Sequence, residues 1–148
     1  MIYKLLSNKF YQKHANHKEI LQKQGRPYCI IVIQIDGINI GIPFRSHIKH
    51  KYAFFTEAQR QDIQSRAGLD YTKSVVLNLE EDLSDVKAII RKEDYKALLG
   101  REYRVTTGFL KFLQRYKDAV KFPNRPENKF IVQNSSLQYF HKELNIES

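Results

Sequence analysis

The chain carries a single cysteine among its 148 residues. That count excludes an internal disulfide framework and suits a reducing compartment. No apolar run approaches the length of a membrane span, and the opening M-I-Y-K-L-L-S-N-K lacks a secretory hydrophobic region. A cytoplasmic protein is therefore expected. Two motifs are missing as well. Without G-x-x-x-x-G-K there is no phosphate-cradling loop, and without G-x-S-x-G there is no nucleophile elbow for Ser46 and its neighbouring histidines to complete. Repeats, low-complexity tracts and linkers are also lacking, so residues 1–148 read as one domain. Acidic residues are scarce. Sixteen Asp and Glu stand against 25 Lys and Arg, a net charge of +9, which points to a polyanionic partner, nucleic acid before membrane surface.

What is present is a folded composition, 42% hydrophobic and 12% aromatic, organised around one stretch from Arg26 to Lys51. Two β-branched runs flank Asp36-Gly37, a pair suited to a two-residue type I′ turn in which both positions take φ > 0. Such a loop sets the register. Ile35 opposes Ile38, Ile33 opposes Ile40, Ile31 opposes Ile42 and Cys29 opposes Phe44, all on the face that the core selects. On the other face Gln34 meets Asn39, Val32 meets Gly41 and Tyr28 meets Arg45, with Arg26 and His47 extending the series. Ser46, His47, Lys49, His50 and Lys51 follow at once. Asp36 is the only carboxylate between Arg26 and Lys51. The open end of this hairpin is a place for an anion.

Elsewhere the pattern predicts a strand over Ile2–Leu6 and a helix capped by Ser7, with Phe10 and Tyr11 turned inward. It predicts an exposed helix over Thr56–Arg66, a turn at Gly68–Asp70, a strand from Tyr71 to Leu79 and another over Val86–Ile90. In the last third, Lys92–Leu99 reads as a short helix stopped by Gly100. A longer helix capped by Thr106 or Thr107 reaches about Val120, with Phe109, Leu110, Phe112, Leu113 and Tyr116 at core spacing. Pro123 and Pro126 break the chain, and Ser135 or Ser136 starts a final helix through Leu144. The class is α+β, a mainly antiparallel sheet with helices around it.

Cys29 falls on the core face, where free cysteine behaves as a small hydrophobe. His14-x-x-His17 and His47-x-x-His50 lack a second cysteine or a suitably spaced acidic ligand, so no metal and no cofactor is expected. His14 and His17 read as surface residues. The chemistry left is that of the RNA backbone, in which a 2′-OH attacks the adjacent phosphate and expels the 5′-oxygen. It calls for a proton acceptor, a proton donor and cationic or hydrogen-bonding groups around the phosphorane-like transition state. Arg26, Tyr28, Arg45, Ser46, His47, His50 and Lys73 supply those types. The same residues serve equally a non-catalytic RNA-binding module. No helix-turn-helix with a basic recognition helix stands out.

The segment I-V-I-Q-I-D-G-I-N-I-G-I-P-F-R-S, preceded by R-P-Y, resembles the endoribonuclease toxins of type III toxin–antitoxin systems, the ToxN/AbiQ-like family. N-K-F-Y-Q-K-H-A-N-H-K-E-I-L and G-L-D-Y-T-K-S-V-V-L are most similar to its CptN and TenpN branches. The resemblance implies a MazF/Kid-like curved sheet forming a partly open barrel. It also implies metal-independent RNA cleavage to a 2′,3′-cyclic phosphate, inhibition by a repeated pseudoknot RNA antitoxin that the toxin itself processes, a closed protein–RNA assembly, and a role in abortive phage defence. The Thr-Ser pair that ends the second hairpin strand in the ToxN branch falls on Arg45 and Ser46. Arg26 stands where the family has a basic residue before the first hairpin strand. The family lysine two places beyond the serine falls on Ile48, so that His47, Lys49 or His50 must take its part. Lys73 matches a lysine entering the later strand. Catalysis is thus expected from Arg45, Ser46, His47 and His50, and RNA contacts from Arg26, Tyr28, Lys49, Lys51 and Lys73.

Binding of RNA is expected to weaken steeply with salt, because each phosphate contact made by Lys or Arg releases counterions and adds a slope of about −0.7 in log K against log salt. A titration that is flat from 50 to 200 mM salt, on the order of physiological ionic strength, would remove the electrostatic account.

Overall fold

The computed structural model of the chain describes residues 1–22, 28–58 and 65–147. Among them run six strands: β1 (Ile2–Leu5), β2 (Cys29–Ile35), β3 (Ile38–Ile48), β4 (Ala53–Phe55), β5 (Arg66–Asp70) and β6 (Val75–Leu77). Four helices accompany them: α1 (Asn8–Lys13), α2 (Lys92–Leu98), α3 (Glu102–Lys121) and α4 (Pro126–Asn134). The sheet is antiparallel in the order β1-β2-β3-β5-β4, with β6 also on β3. It is not closed into a barrel, since β1 and β4 end the path without pairing. No described helix is long and apolar enough to cross a membrane.

The hairpin forms in the expected register, from Ile35 opposite Ile38 down to Ile30 opposite Pro43. Asp36 and Gly37 take φ of 50° and 80°, as a type I′ turn requires. Ile31, Ile33, Ile40 and Ile42 are buried, while Cys29, Ile35, Ile38 and Phe44 at the two ends are only partly so. At the open end the reverse face is buried too, through Ile30, Gly41 and Pro43. Ile20 and Leu21 of the loop after α1 lie against that face with Leu6 and Val75.

The other side of β3 is shared by two strands. β6 pairs with Asn39–Gly41 and β5 with Phe44–Ile48, and strand pairing lapses at Ile42 and Pro43. Pairing positions alternate outward from the Ile35–Ile38 pair that closes the turn. They leave Pro43 without a hydrogen-bonding duty toward β2 and direct its missing N–H into this lapse. A 3₁₀ turn, Tyr71–Lys73, carries the chain from β5 to β6 beside it. The expected turn at Gly68–Asp70 is therefore strand, and the expected Tyr71–Leu79 strand is shorter and begins with a turn. The Asp70 side chain, which accepts from Thr72 N, interrupts the extended backbone.

Helix α1 is capped as expected, Ser7 accepting from Phe10 N, with Phe10 and Tyr11 buried. Gly100, at φ 74°, reverses the chain after α2, and α3 starts directly beyond it at Glu102. Thr106 and Thr107 thus lie inside α3 rather than capping it. Val105, Phe109, Phe112, Leu113 and Tyr116 line its inner face, while Leu110, expected in the core, points outward. Gly108 gives α3 its close approach to the 3₁₀ turn: a Cβ there would lie 3.0 Å from the Tyr71 ring, whose hydroxyl donates to Val105 O at 2.8 Å.

Other expectations are corrected. Pro126 starts α4 at its first position, where the absent N–H is harmless, instead of breaking the chain. The final helix is only a 3₁₀ segment, Ser136–Tyr139, capped by Ser135. Residues 86–90 form no strand; Val86 and Ile89 are exposed, and the nearby ladder to Leu6 stops at Leu83. Of the helix expected over Thr56–Arg66, residues 59–64 lie outside the described residues. Arg66 is strand, and Thr56 and Glu57 both donate their N–H groups to Ala67 O at the start of the β4–β5 connection.

His14, expected at the surface, is buried between Phe10 and Phe140, its Nδ1 3.0 Å from that of His17. Burial, then the neighbouring His17 and Lys13, pull it down to about 4 against the opposing charge of Asp82. Unfolded, the imidazole titrates near 6.5, so between these values the unfolded chain binds the extra proton. Stability is expected to fall as pH drops from about 6.5 to about 4, by about 3 kcal/mol from this residue. Urea unfolding of the wild type and His14→Phe at neutral and acid pH checks it. Equal acid losses in the two proteins would refute the assignment.

Candidate functional site

The lower half of β3 builds the site. Arg45 faces Gly68 and Ile48 faces Arg66, so Ser46 and His47 together stand opposite the single Ala67. This β-bulge turns both side chains out to solvent while Ile48 returns to the interior. Ile48, the position where the resembled family has lysine, is thus a packing residue. Gly68 lets the β4 backbone close on β5 beside Arg45: a Cβ there would come within 2.8 Å of Phe55 Cα and collide with the Phe54 carbonyl.

At the centre lies Asp70, fully buried. Arg45 Nη1 donates to its Oδ2 at 2.8 Å. Its Oδ1 accepts from Thr72 N at 2.9 Å and from Thr72 Oγ1 at 2.6 Å, and lies 3.1 Å from His50 Nε2. The backbone N–H of Tyr52 donates to His50 Nδ1 at 3.0 Å. That bond needs the Nδ1 lone pair, so the ring proton of neutral His50 sits on Nε2 and points at Asp70. Burial alone raises a carboxyl, but the bonds from His50, Thr72 and Arg45 outweigh it and hold Asp70 below the ordinary aspartate value.

Lys73 follows in the 3₁₀ turn, half-buried, donating to Glu19 O at 3.0 Å and Asn134 O at 2.8 Å. Burial pushes its ammonium below the usual lysine value, opposed by the charge of Asp70 and reinforced by Arg45. Lys73 therefore ties the loop after α1 to the end of α4 beside the Asp70 cluster. Aromatic rings close the other side. His50 packs against Tyr52 and Phe130, with centroids 5.9 and 5.5 Å away.

The structure thus gathers Arg45, His50 and Lys73 around Asp70, with Ser46 and His47 exposed at the adjacent bulge. Lys49 and Lys51 are exposed, Lys51 Nζ lying 5.6 Å from the Tyr52 ring centroid. Tyr28 does not pair with Arg45 as expected. Its N–H goes to the Tyr11 hydroxyl at 3.0 Å, and Arg45 pairs with β5 instead. It borders the same crevice as Lys73, Ile20 and Pro43. Arg26 lies outside the described residues. Burial, with Asp94 adding to it, pushes the Cys29 thiol up to about 11, so it is no thiolate near neutral pH. No three His, Cys, Asp or Glu side chains come together to hold a metal ion among the described residues.

Sequence reasoning missed Asp70, Thr72, Tyr52 and Phe130. The one local signal was D-Y-T, an aspartate two residues before a threonine, which favours a side-chain-closed turn. Neither family models, curated proteins nor solved structures offer a match to this chain.

Replacing Asp70 with alanine is expected to cost about 3–5 kcal/mol, since Arg45 and His50 would lose a buried partner. The contribution has a definite sign in pH. Because the folded carboxyl is held low, it is intact above the unfolded value of 3.8 and lost as pH falls through the folded one. Chemical denaturation of Asp70→Ala and Asp70→Asn at neutral pH tests this, and a loss under about 1 kcal/mol in Asp70→Ala would show that the cluster carries little of the fold.

Proposed function

We propose that the protein is a metal-independent endoribonuclease toxin of the type III class, acting in the cytoplasm and restrained by a repeated pseudoknot RNA that it processes. The observation that carries the catalytic part is a fixed hydrogen-bonded frame, which aims the Arg45 guanidinium, with an exposed imidazole beside it. Asp70 holds Arg45 and His50 in place, and the bulge presents Ser46 and His47 next to them. The antitoxin, the closed protein–RNA assembly and the role in phage defence rest on the resemblance of the hairpin and the D-Y-T-K segment to the ToxN/AbiQ-like family.

In this reading the 2′-oxygen forms a bond to phosphorus as its proton passes to a base. The bond from phosphorus to the 5′-oxygen breaks, and that oxygen takes a proton. His50 has both ring nitrogens engaged, so it serves the frame. His47, exposed and without a hydrogen-bond partner among the described residues, is the imidazole able to exchange a proton with RNA. The free N–H groups of Arg45 and the Ser46 hydroxyl hold the non-bridging oxygens as charge builds on them. Lys49 and Lys51 draw in the flanking phosphates.

Incubation of the purified protein with RNA in EDTA is expected to yield fragments ending in 2′,3′-cyclic phosphate. Ser46→Ala, Arg45→Ala and His47→Ala should each lose on the order of 10²-fold in rate. The stability of the first and last should be unchanged. That of Arg45→Ala, which leaves Asp70 without its ion-pair partner, should be lowered, so that it is assayed below its own melting transition. Retention of RNA without any cleavage would favour a non-catalytic RNA-binding module, and full activity in all three variants would remove this site.

A further inference from the structure

Three aromatic rings step outward from the core to the edge of the Asp70 cluster. Phe112 of α3 is buried, and its centroid is 5.7 Å from that of Tyr52. Tyr52 in turn lies nearly parallel to Phe130 of α4, at 18° and 6.4 Å. Phe130 also meets the His50 ring at 5.5 Å, yet 43% of the residue remains exposed. Its inner side is thus fixed by packing and its outer side is open. Other rings of the chain are as exposed, but this one packs on His50 and so borders the Asp70 cluster.

The surroundings are those of an RNA contact. His50 is held edge-on by Tyr52 N and Asp70, so the ring beneath Phe130 cannot swing away freely. One helical turn beyond Phe130, Asn134 donates from Nδ2 to Phe130 O at 2.9 Å and accepts the Lys73 ammonium on its own carbonyl. Lys51 lies over Tyr52 from another direction. A partly exposed aromatic ring packed on His50, which in turn meets the carboxylate that holds Arg45, matches what an unpaired nucleotide offers, a flat base attached to a phosphate.

We propose that Phe130 is a stacking platform for an unpaired nucleobase flanking the phosphate held at Arg45 and Ser46, making the ligand single-stranded RNA rather than duplex. The inference rests on the RNA reading above. Bases within a duplex are already stacked on one another and have no face to offer. Because every base has a π-face, the platform positions the strand without selecting its sequence. Phe130 is a positioning residue here and takes no part in proton transfer.

The chain contains no tryptophan, so Phe130→Trp places one indole fluorophore at this point and nowhere else. The probe is a mixed-sequence 2′-O-methyl oligoribonucleotide with a 5′-fluorescein, which lacks the 2′-OH nucleophile and reports binding without cleavage. By anisotropy, Phe130→Ala should bind the single strand roughly 10-fold or more weakly than wild type, and both should bind the same oligonucleotide equally once it is annealed to its complement. Phe130→Trp should keep the affinity and lose indole emission as an unlabelled strand of the same sequence saturates it. Wild-type affinity in Phe130→Ala, or unchanged indole emission at saturation, overturns the platform while leaving the RNA reading standing. Absence of binding by the wild type overturns both. Should Phe130→Ala melt early, the indole signal decides.

Discussion

One buried carboxylate ties together the parts of this molecule that sequence separates. Asp70 ends β5, and its two oxygens are satisfied by Arg45 from β3, by His50 beyond β3 and by Thr72 of the turn that follows. A buried aspartate without these partners would carry a large desolvation cost, so the three segments must arrive together. Satisfying Asp70 also selects the His50 tautomer and fixes the direction of the Arg45 guanidinium. Packing in the core and the disposition of charge at the surface are therefore set by the same group.

β3 is the other organising element. It pairs with β2 along one side and is divided between β6 and β5 on the other, and its irregularities fall where that division requires them. Pro43 occupies the lapse between the two partners, where no donor is needed. Three residues further the bulge turns Ser46 and His47 outward and returns Ile48 to the interior. A perfectly regular strand would have alternated Ser46 and His47 between faces, and only one of them would have reached solvent.

The hairpin was legible because two local signals agree. Asp-Gly sets the loop, and isoleucine alternation admits one register only, since a slip of one residue would expose Ile31, Ile33, Ile40 and Ile42. Arg45, Ser46, His47 and His50 could be picked out as one polar concentration for the same reason. Their division into an inward pair and an outward pair could not, because it follows from the bulge and from Asp70, which lies over twenty residues away in sequence. The strand and turn at Gly68–Ser74 were read in reverse order for want of the tertiary bonds to Asp70. Phe130 was hidden by Pro123 and Pro126, which suggest a break, although Pro126 in fact begins the helix that carries it. Charge balance and residue types suggested a polyanionic partner; long-range contacts alone could have shown which rings and cations lie together.

The loop between α1 and β2 is held by groups from far along the chain. Tyr139 donates its hydroxyl to Glu19 and stacks on His17, and Lys73 bridges Glu19 to Asn134. Ribosomal synthesis delivers these partners in order, so the sheet can form while residues 134–139 are still within the exit tunnel. Over that interval the cover on the reverse face of the hairpin is held through Lys73 and lacks the Tyr139 tie, and Phe130 is not yet seated on Tyr52. In chain order the Asp70 cluster has all its members by Thr72, whereas the Phe130 ring and the Asn134 and Tyr139 ties come only with the last part of the sequence.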